Sequence, residues 1–343
     1  MSQRDAALFL AHSRFQLFIV QYMLRAMPEL MRRDNYLVLD MDGKGLPVDT
    51  SAWHEVIALT PPVGGTSRGA VSACRAALRR IAGIVDRYQT VDLFVSDVQW
   101  PLNNAVYGAF ISGERAAKRR ARLCNFPDGI GNLQVVYPNW QQRMKDVAKV
   151  VLGSLGRAPY TMYRGDILGL ELSDVVYSLL PEAIPSLGER VVPIPRIPRT
   201  ALATEADACL FLGQNYDYFM NARQFGDYAA RAATATRALG YDRLYYKPHP
   251  LERVDAAVAA FRQQGFEILQ DSRTVEEMFL ERQMACVVSF NSSALAHLKL
   301  FFGDCVRCVS VFSDEVLRYT NVEADAPAKM RHVMELCGVE FHA

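Results

Sequence analysis

The chain has 343 residues, of which half are hydrophobic, and its 38 basic and 37 acidic residues give a net charge of +1. This length is enough for two domains that each bury a core, and the balanced charge excludes the basic surface typical of nucleic-acid binding. Seven scattered cysteines exclude a disulfide framework and indicate a reducing compartment, so we predict a cytoplasmic protein.

The first part of the chain alternates short apolar strands with helices. Strands are predicted at residues 5–11, 35–40, 55–59, 91–97 and 120–126, and helices at residues 15–27, 71–88 and 103–112. This alternation indicates a parallel sheet that is covered on both faces. Membrane spans need ~18 uninterrupted apolar residues, and none are expected here.

A proline-rich stretch at residues 191–205 interrupts the alternation and predicts a crossing between domains. The alternation then restarts, with strands at 208–213, 243–247, 266–270, 286–290 and 305–312. We therefore predict two Rossmann-like, doubly wound α/β domains, at residues 1–195 and 196–343. Ligands of such folds bind at the carboxyl ends of the strands, so the cleft between the two domains is the expected site.

The run KPHP at residues 247–250 follows a strand and precedes a helix. Pro248 and Pro250 each lack a backbone donor and keep the preceding residue extended. Lys247 and His249 are therefore held on a stiff bend at a strand end, which favours a functional role.

Two further strand ends in the second half carry polar groups: Gly213 with Gln214, and Asn291 with Ser292 and Ser293. The second group opens a helix, whose N-terminus is a natural anion site. The alternative is that Ser292 only caps its helix. Together with the KPHP bend, these ends predict a pocket for a nucleotide phosphate.

The first half offers two acidic candidates. Asp128 follows a strand in the run FPDGIGN, where it either faces a cleft or forms a simple turn. Asp40 and Asp42 resemble the DxD of aspartyl phosphatases and of metal-dependent transferases. Lys44 stands where the phosphatase pattern expects threonine. This favours a turn, and no metal site is predicted.

The acceptor side is less well specified. Polar residues near strand ends are candidates for contacting an acceptor: His12, Arg14, Gln16, Asn103, Asn104 and Gly129. For His12, a satisfied core position is an equal alternative. Two basic segments, 115–122 and 141–166, predict either solvated or packing helices or a contact with an anionic membrane or a lipid-linked glycan.

Asp128-Gly129, His249-Pro250 and Ser292-Ser293, in this order, resemble the motifs of bacterial sialyltransferases with the GT-B fold. The closest likeness is to glycosyltransferase family 52 and the related polysialyltransferases. Phe15-Gln16-Leu17 and the run LFLGQ resemble further parts of that pattern. Pro127 departs from it, because the family has an acidic residue there.

The resemblance implies an inverting, metal-independent transferase that moves sialic acid, or a related nonulosonic acid, from a CMP-sugar to a hydroxyl of a surface glycan. The glycan would be a lipooligosaccharide, O-antigen or capsule, and the CMP-sugar is a co-substrate, so no cofactor is expected. Asp128 would be the general base of the acceptor domain. His249, Lys247 and the two serines would face the CMP phosphate in the donor domain, with Gln214 beside the sugar or the phosphate.

Other interpretations stay open. A CMP-Kdo transferase or a CDP-glycerol glycerophosphotransferase would keep the fold and change the donor. Two alternatives belong to different classes: a non-catalytic nucleotide- or glycan-binding protein, and a phosphatase based on Asp40 and Asp42. The chain is expected to be a monomer or a homodimer, either free in the cytoplasm or peripheral on the inner membrane.

Overall fold

The computed structural model describes residues 5–41, 46, 48–59, 68–112, 120–154, 160–197, 204–214, 222–249, 252, 255–311 and 325–342. The chain divides into two compact units at Pro195, although Asp325 and Ala326 group with the first. Within the described residues, no helix has the length and apolar character needed to cross a bilayer.

The first unit is built on a seven-stranded sheet of order β3-β2-β1-β4-β5-β6-β7. Its strands are β1 (Ala6–Ala11), β2 (Asp34–Leu39), β3 (Glu55–Ala58), β4 (Thr90–Val95), β5 (Arg120–Asn125), β6 (Val175–Ser178) and β7 (Val191–Pro193). Every neighbouring pair is parallel. All six residues of β1 are buried, which is the burial expected of a central strand covered on both faces.

The helices of the first unit are α1 (Arg14–Ala26), α2 (Pro28–Met31), α3 (Arg68–Val85), α4 (Pro101–Phe110) and α5 (Trp140–Ser154). Side chains of α3 and α4, such as Ile81 and Val106, pack with Leu8 and Leu93 of the central strands in one core cluster. On the other sheet face, Phe9 stacks on Phe94 at 4.1 Å between ring centroids.

The second unit has a six-stranded parallel sheet of order β10-β9-β8-β11-β12-β13. Its strands are β8 (Thr204–Leu212), β9 (Arg243–Lys247), β10 (Glu267–Ile268), β11 (Gln283–Ser289), β12 (Arg307–Val311) and β13 (Glu340–His342). Its helices are α6 (Ala222–Ala238), α7 (Asp255–Gln263), α8 (Val275–Phe279), α9 (Ser293–Phe302) and α10 (Ala326–Leu336).

The predicted fold class is confirmed, since both sheets are parallel and each strand predicted from the sequence is present. The structure corrects the proline-rich stretch, because Val191–Pro193 forms strand β7 before the chain leaves the first unit. The sequence analysis missed β6, β7, α10 and β13. It also began the last predicted strand too early: Cys305 is exposed in a short 3₁₀ turn before β12.

Candidate active site

The order of strands in the first unit reverses between β1 and β4, and the polar residues of this unit collect at that point. In doubly wound sheets, the crevice beyond such a reversal is where ligands bind. His12 follows β1, Ser96 and Asp97 follow β4, and Asp128 follows the next strand, β5. The Nε2 atom of His12 lies 3.8 Å from Oδ2 of Asp97 and 3.8 Å from Oδ2 of Asp128.

Gln16 fixes the position of His12. Its Oε1 accepts a hydrogen bond from the backbone N–H of His12 at 2.8 Å. Its Nε2 is therefore the end that lies 2.8 Å from Ser96 Oγ and 2.9 Å from His12 Nε2. Because an amide nitrogen only donates, this geometry makes His12 Nε2 an acceptor and the imidazole neutral.

Trp100 covers one face of the His12 ring. The two rings are stacked with 4.1 Å between centroids and 4° between planes. Asp40 holds the indole by accepting its Nε1–H at 2.7 Å, and Asp97 accepts the Trp100 backbone N–H at 2.6 Å. Burial lowers the pKa of His12, and the negative charges of Asp97 and Asp40 offset part of this decrease. Asp40 therefore shapes the site through Trp100, while Asp42 lies outside the described residues.

Asp128 stands on a tight turn that Asn132 holds. The backbone N–H of Asp128 donates to Asn132 Oδ1 at 2.8 Å. The Nδ2 of Asn132 donates in turn to the Ser96 carbonyl at 2.7 Å and to Asn125 Oδ1 at 2.8 Å. Gly129 has φ of 119°, a conformation that favours glycine. The turn predicted by Pro-Asp-Gly is thus present, and it presents the Asp128 carboxyl beside His12.

The electrostatics of the site favour a protonated Asp128 at acidic pH. Burial, followed by the nearby charge of Asp97, raises the pKa of Asp128 to about 7, although hydrogen bonds from Gln16 and Ser96 oppose the rise. The side chain keeps 28% of its surface exposed, so solvent and substrate can reach it. A carboxyl group that titrates near neutral pH is suited to proton transfer.

The same cluster has the composition of a cation site. One ligand atom each from His12, Asp97 and Asp128 lies within 4.8 Å of the others. Imidazole and carboxylate groups are ligands for several divalent metals, so these three residues could hold one. The sequence analysis predicted no metal site. Because this geometry could hold a metal ion, the predicted absence of a metal has to be tested by experiment.

The second unit repeats the arrangement, because its strand order reverses between β8 and β11. The KPHP bend follows β9, and Glu252 fixes it. The Oε2 of Glu252 accepts the backbone N–H of His249 at 2.9 Å, while its Oε1 accepts the Tyr246 hydroxyl at 2.6 Å. The backbone N–H of Glu252 closes the turn on the His249 carbonyl at 2.9 Å.

Gly213, at the end of β8, packs directly against this bend. Its N–H donates to the Lys247 carbonyl at 2.9 Å. A Cβ at this position would lie 2.5 Å from Glu252 Oε2, 2.7 Å from the Tyr246 hydroxyl and 3.0 Å from the His249 backbone nitrogen. A glycine is therefore needed here for steric reasons.

Burial, and then the charge of Lys247, lower the pKa of His249 below its usual range. Lys247 is itself buried, and its ammonium donates to the Asp271 carbonyl. His249 is thus neutral near pH 7. A phosphate anion close to it would favour its protonated form.

Ser292 caps α9: its Oγ accepts the Ala294 N–H at 3.3 Å. Ser292 therefore caps its helix, and an anion at the same helix end stays a prediction. Ser292, Ser293 and Asn291 are all partly exposed, as is Gln214 after β8. Pro248 is described with the bend, and Pro250 lies outside the described residues.

Three of the predicted acceptor contacts need correction. Gln16, Asn103 and Asn104 are at most 1% exposed. Asn103 Nδ2 donates to the Asp97 carbonyl at 2.9 Å, and Asn104 exchanges two hydrogen bonds with the Thr161 backbone. Their amides hold the protein together, because burial leaves them no surface for a glycan. His12, Arg14 and Gly129 stay predictions.

The sequence analysis also missed several residues that shape the two clusters: Ser96, Asp97, Trp100, Asn132 and Glu252. Asp97 ends a predicted strand next to the reversal of strand order, so its position was a signal. Glu252 follows His249 by three residues, the spacing of a side chain that accepts a backbone N–H one turn earlier. Nothing in the sequence marks Asn132.

Comparison with protein families gives one match. The model of the alpha-2,8-polysialyltransferase family matches residues 174–309, which include Gly213, the KPHP bend and the serines that open α9, but not Asp128. This confirms the resemblance seen in the sequence motifs. The matched segment is less than half of the chain, and over this segment the protein is similar to that family. A search of the curated proteins finds no match.

Solved structures confirm the predicted GT-B fold of this chain. A 2,6-sialyltransferase from Photobacterium sp. JT-ISH-224, in complex with CMP and lactose, has a TM-score of 0.53 at 12% identity and covers 98% of this chain and 78% of its own. The UDP-GlcNAc 2-epimerase from Methanocaldococcus jannaschii has a TM-score of 0.53 at 10% identity, covering 96% of this chain and 92% of its own. Arabidopsis thaliana UGT89C1 with UDP-L-rhamnose has a TM-score of 0.51 at 10% identity, covering 99% and 85%.

Proposed function

We propose that the chain transfers sialic acid, or a related nonulosonic acid, from a CMP-sugar to a hydroxyl of a glycan. The observation that carries this proposal is the family match over residues 174–309, because this segment contains the KPHP bend and the Ser292-Ser293 helix start. The related Photobacterium structure holds CMP and lactose, which supports a CMP-linked donor and a glycan acceptor.

Asp128 is the proposed general base. Because its pKa is about 7, a large fraction of the carboxyl is ionised at neutral pH, and the ionised form is a stronger base than an ordinary aspartate. It takes the proton of the acceptor hydroxyl as the oxygen attacks the anomeric carbon. His12 and Asp97 lie beside this carboxyl, and Asn132 holds the turn that carries it.

His249 is the proposed partner of the leaving phosphate. As the bond between the sugar and CMP breaks, negative charge develops on the phosphate, and a hydrogen bond from the imidazole stabilises that charge. The N-terminus of α9, with Asn291, Ser292 and Ser293, offers backbone and hydroxyl donors to the same group. Lys247 contributes its charge, and Gln214 lies beside the sugar or the phosphate.

Direct displacement at the anomeric carbon inverts its configuration through an oxocarbenium-like state. CMP carries a single phosphate, so protein donors can neutralise it, and we propose that transfer needs no metal or cofactor. The acceptor is proposed to be a surface glycan such as a lipooligosaccharide, an O-antigen or a capsule.

The direct test is incubation of the full chain with CMP-sialic acid and a panel of glycosides. We expect a sialylated product of inverted configuration, detected by mass spectrometry and NMR, at a rate that EDTA leaves unchanged. The absence of product with every acceptor and nonulosonic donor would contradict the proposal. Loss of activity in EDTA, restored by a divalent cation, would instead assign a metal to His12, Asp97 and Asp128.

A change of donor within the same fold is the second candidate, and the KPHP run favours it because CDP-glycerol glycerophosphotransferases share that run. A thermal-shift screen separates the two. We expect CMP to raise Tm more than CDP or UDP. A larger shift with CDP would favour glycerophosphate transfer.

A further inference from the structure

Helix α5 exposes a continuous apolar stripe. Trp140 is 71% exposed, Met144 61%, Val147 42% and Val151 53%. Their spacing of four, three and four residues places them on one helical face. Contiguous apolar surface of this kind on a folded protein marks an interaction site.

The opposite face of α5 is polar, although it is the buried one. Gln142 and Asp146 are 6% and 8% exposed. Asp146 Oδ1 accepts hydrogen bonds from Gln142 Nε2 at 3.0 Å, Tyr160 Oη at 3.1 Å and Lys149 Nζ at 3.2 Å. This polarity is the reverse of an ordinary surface helix, which turns its apolar side to the core. The apolar side of α5 therefore faces outward for a reason other than folding.

An arginine borders the stripe. On the helix, Arg143 lies beside the stripe and is exposed, whereas Lys145 lies nearer to the buried Gln142. The single acidic residue of α5, Asp146, is buried and paired with Lys149. Next to the helix is a cavity of about 460 Å³, whose lining includes Arg143, Arg164 and Asp146. Because Lys149 is paired with the Asp146 carboxylate, the two guanidinium groups leave the cavity positively charged, which suits a phosphate group.

We propose that α5 lies in the surface of an anionic lipid bilayer. The four stripe residues enter the interfacial region, where Trp and aliphatic side chains are stabilised, and Arg143 and Arg164 contact lipid phosphates. The charge favours an anionic bilayer over a second copy of the chain. A symmetric contact through α5 would bring the same positively charged side chains together, and they would repel each other. The proposal is independent of the donor sugar.

The test is co-sedimentation of the full chain with vesicles of phosphatidylcholine, alone or mixed with phosphatidylglycerol. We expect binding to the mixed vesicles to be at least about tenfold tighter than to neutral ones, and to weaken with salt. Met144→Glu is expected to weaken binding about tenfold, because it places a carboxylate in the stripe. The matched control is Met31→Glu, at a methionine of α2 that is 46% exposed and is expected to leave binding unchanged.

Three results would overturn the proposal: no binding of wild type to the mixed vesicles, equal binding to both vesicle types, or unchanged binding of Met144→Glu. A concentration-dependent dimer that Met144→Glu abolishes, without vesicle binding, would assign the stripe to a second copy. If circular dichroism shows that Met144→Glu is unfolded, the double variant Arg143→Gln/Arg164→Gln takes its place, with Arg32→Gln as control. Unchanged binding of that double variant would equally contradict a lipid contact.

Discussion

Asp128 gains its special protonation behaviour from its surroundings. It lies on a turn at the end of β5, held by Asn132, and Asp97 is close enough for its charge to oppose ionisation of Asp128. A free aspartate is a weak base near neutral pH, whereas a carboxyl with a pKa of about 7 is matched to the pH at which it works. This single shift links the local fold to the proposed catalytic role.

The shift predicts the pH dependence of transfer. Because Asp128 must be ionised to accept a proton, kcat/KM should rise with pH through about 7 and level off above it. Asp97→Asn removes one of the two causes of the raised pKa, so the rise should move to lower pH. Asp242→Ala, at an exposed carboxylate, should leave the profile unchanged. A profile that is flat between about pH 5 and 8 would contradict the assignment of the base.

Sequence reasoning selected Asp128 and His249 because both follow predicted strands and carry chemistry that a strand end can present, and their catalytic roles stay predictions. It misplaced Gln16, Asn103 and Asn104 for a physical reason. An amide near a strand end can face a ligand or satisfy buried backbone groups, and the choice depends on distant partners. Gln16 finds its partner in Ser96, 80 residues away, which no local pattern reveals.

At the scale of elements, the carboxyl ends of β8 and β9 form one packed unit. The N–H of Gly213 bonds to the Lys247 carbonyl, and Glu252 ties the following bend to the Tyr246 hydroxyl. The position of His249 thus depends on how closely the backbone of β8 approaches the bend. A side chain at residue 213 would separate them.

Gly213→Ala tests this dependence. The added Cβ overlaps Glu252 and Tyr246, so the bend must shift. A displacement of about 1 Å near reacting groups typically lowers the rate by about 100-fold. Gly83→Ala in α3 is the control, because a Cβ there meets no atom within 4 Å. Transfer kinetics and CMP affinity measure the effect, and a variant as active as wild type would show that the bend is not sterically fixed.

The first sheet depends on a buried ion pair at the start of β4. Asp92 is 1% exposed and accepts hydrogen bonds from Arg122 at 2.7 Å and 2.6 Å, as well as from Arg33. Arg122 belongs to the basic run 115–122, whose residues 115–119 lie outside the described part. The structure thus gives this arginine a structural role in the first sheet.

Asp92→Ala should lower the free energy of unfolding by about 3 kcal/mol, at the low end for a buried pair because both arginines keep contact with water. Denaturant unfolding followed by circular dichroism measures this loss. Glu55→Ala breaks the exposed pair with Arg80 and should cost less than about 1 kcal/mol. Equal effects of the two substitutions would contradict the structural role given to Asp92.

Some elements were predictable and others were not. The long apolar strands β1, β4 and β11 are evident because buried parallel strands have continuous hydrophobic runs. Strands β6, β7 and β13 have only three or four residues, and β7 includes Pro193, so their sequences resemble loops. Their pairing with a longer neighbour is what makes them strands.

At the scale of the whole molecule, the two units repeat one topology. In each, the third, second and first strands are followed by the fourth, fifth and sixth, so the order reverses beside the first strand. At each reversal of strand order, the polar side chains that follow the neighbouring strands lie together. One group of side chains is suited to accept a proton and the other to hold a phosphate, which are the two tasks of the proposed transfer from a CMP-sugar.

The most direct measurement is the rate of CMP release from CMP-sialic acid, with acceptor present, by wild type, Asp128→Ala and His249→Ala. Asp242→Ala and His332→Ala, at exposed positions, serve as matched controls. The account predicts a fall of at least about 100-fold in each of the first two variants, with Tm preserved, and rates near wild type in the controls. Release that continues at the wild-type rate in both Asp128→Ala and His249→Ala would contradict it.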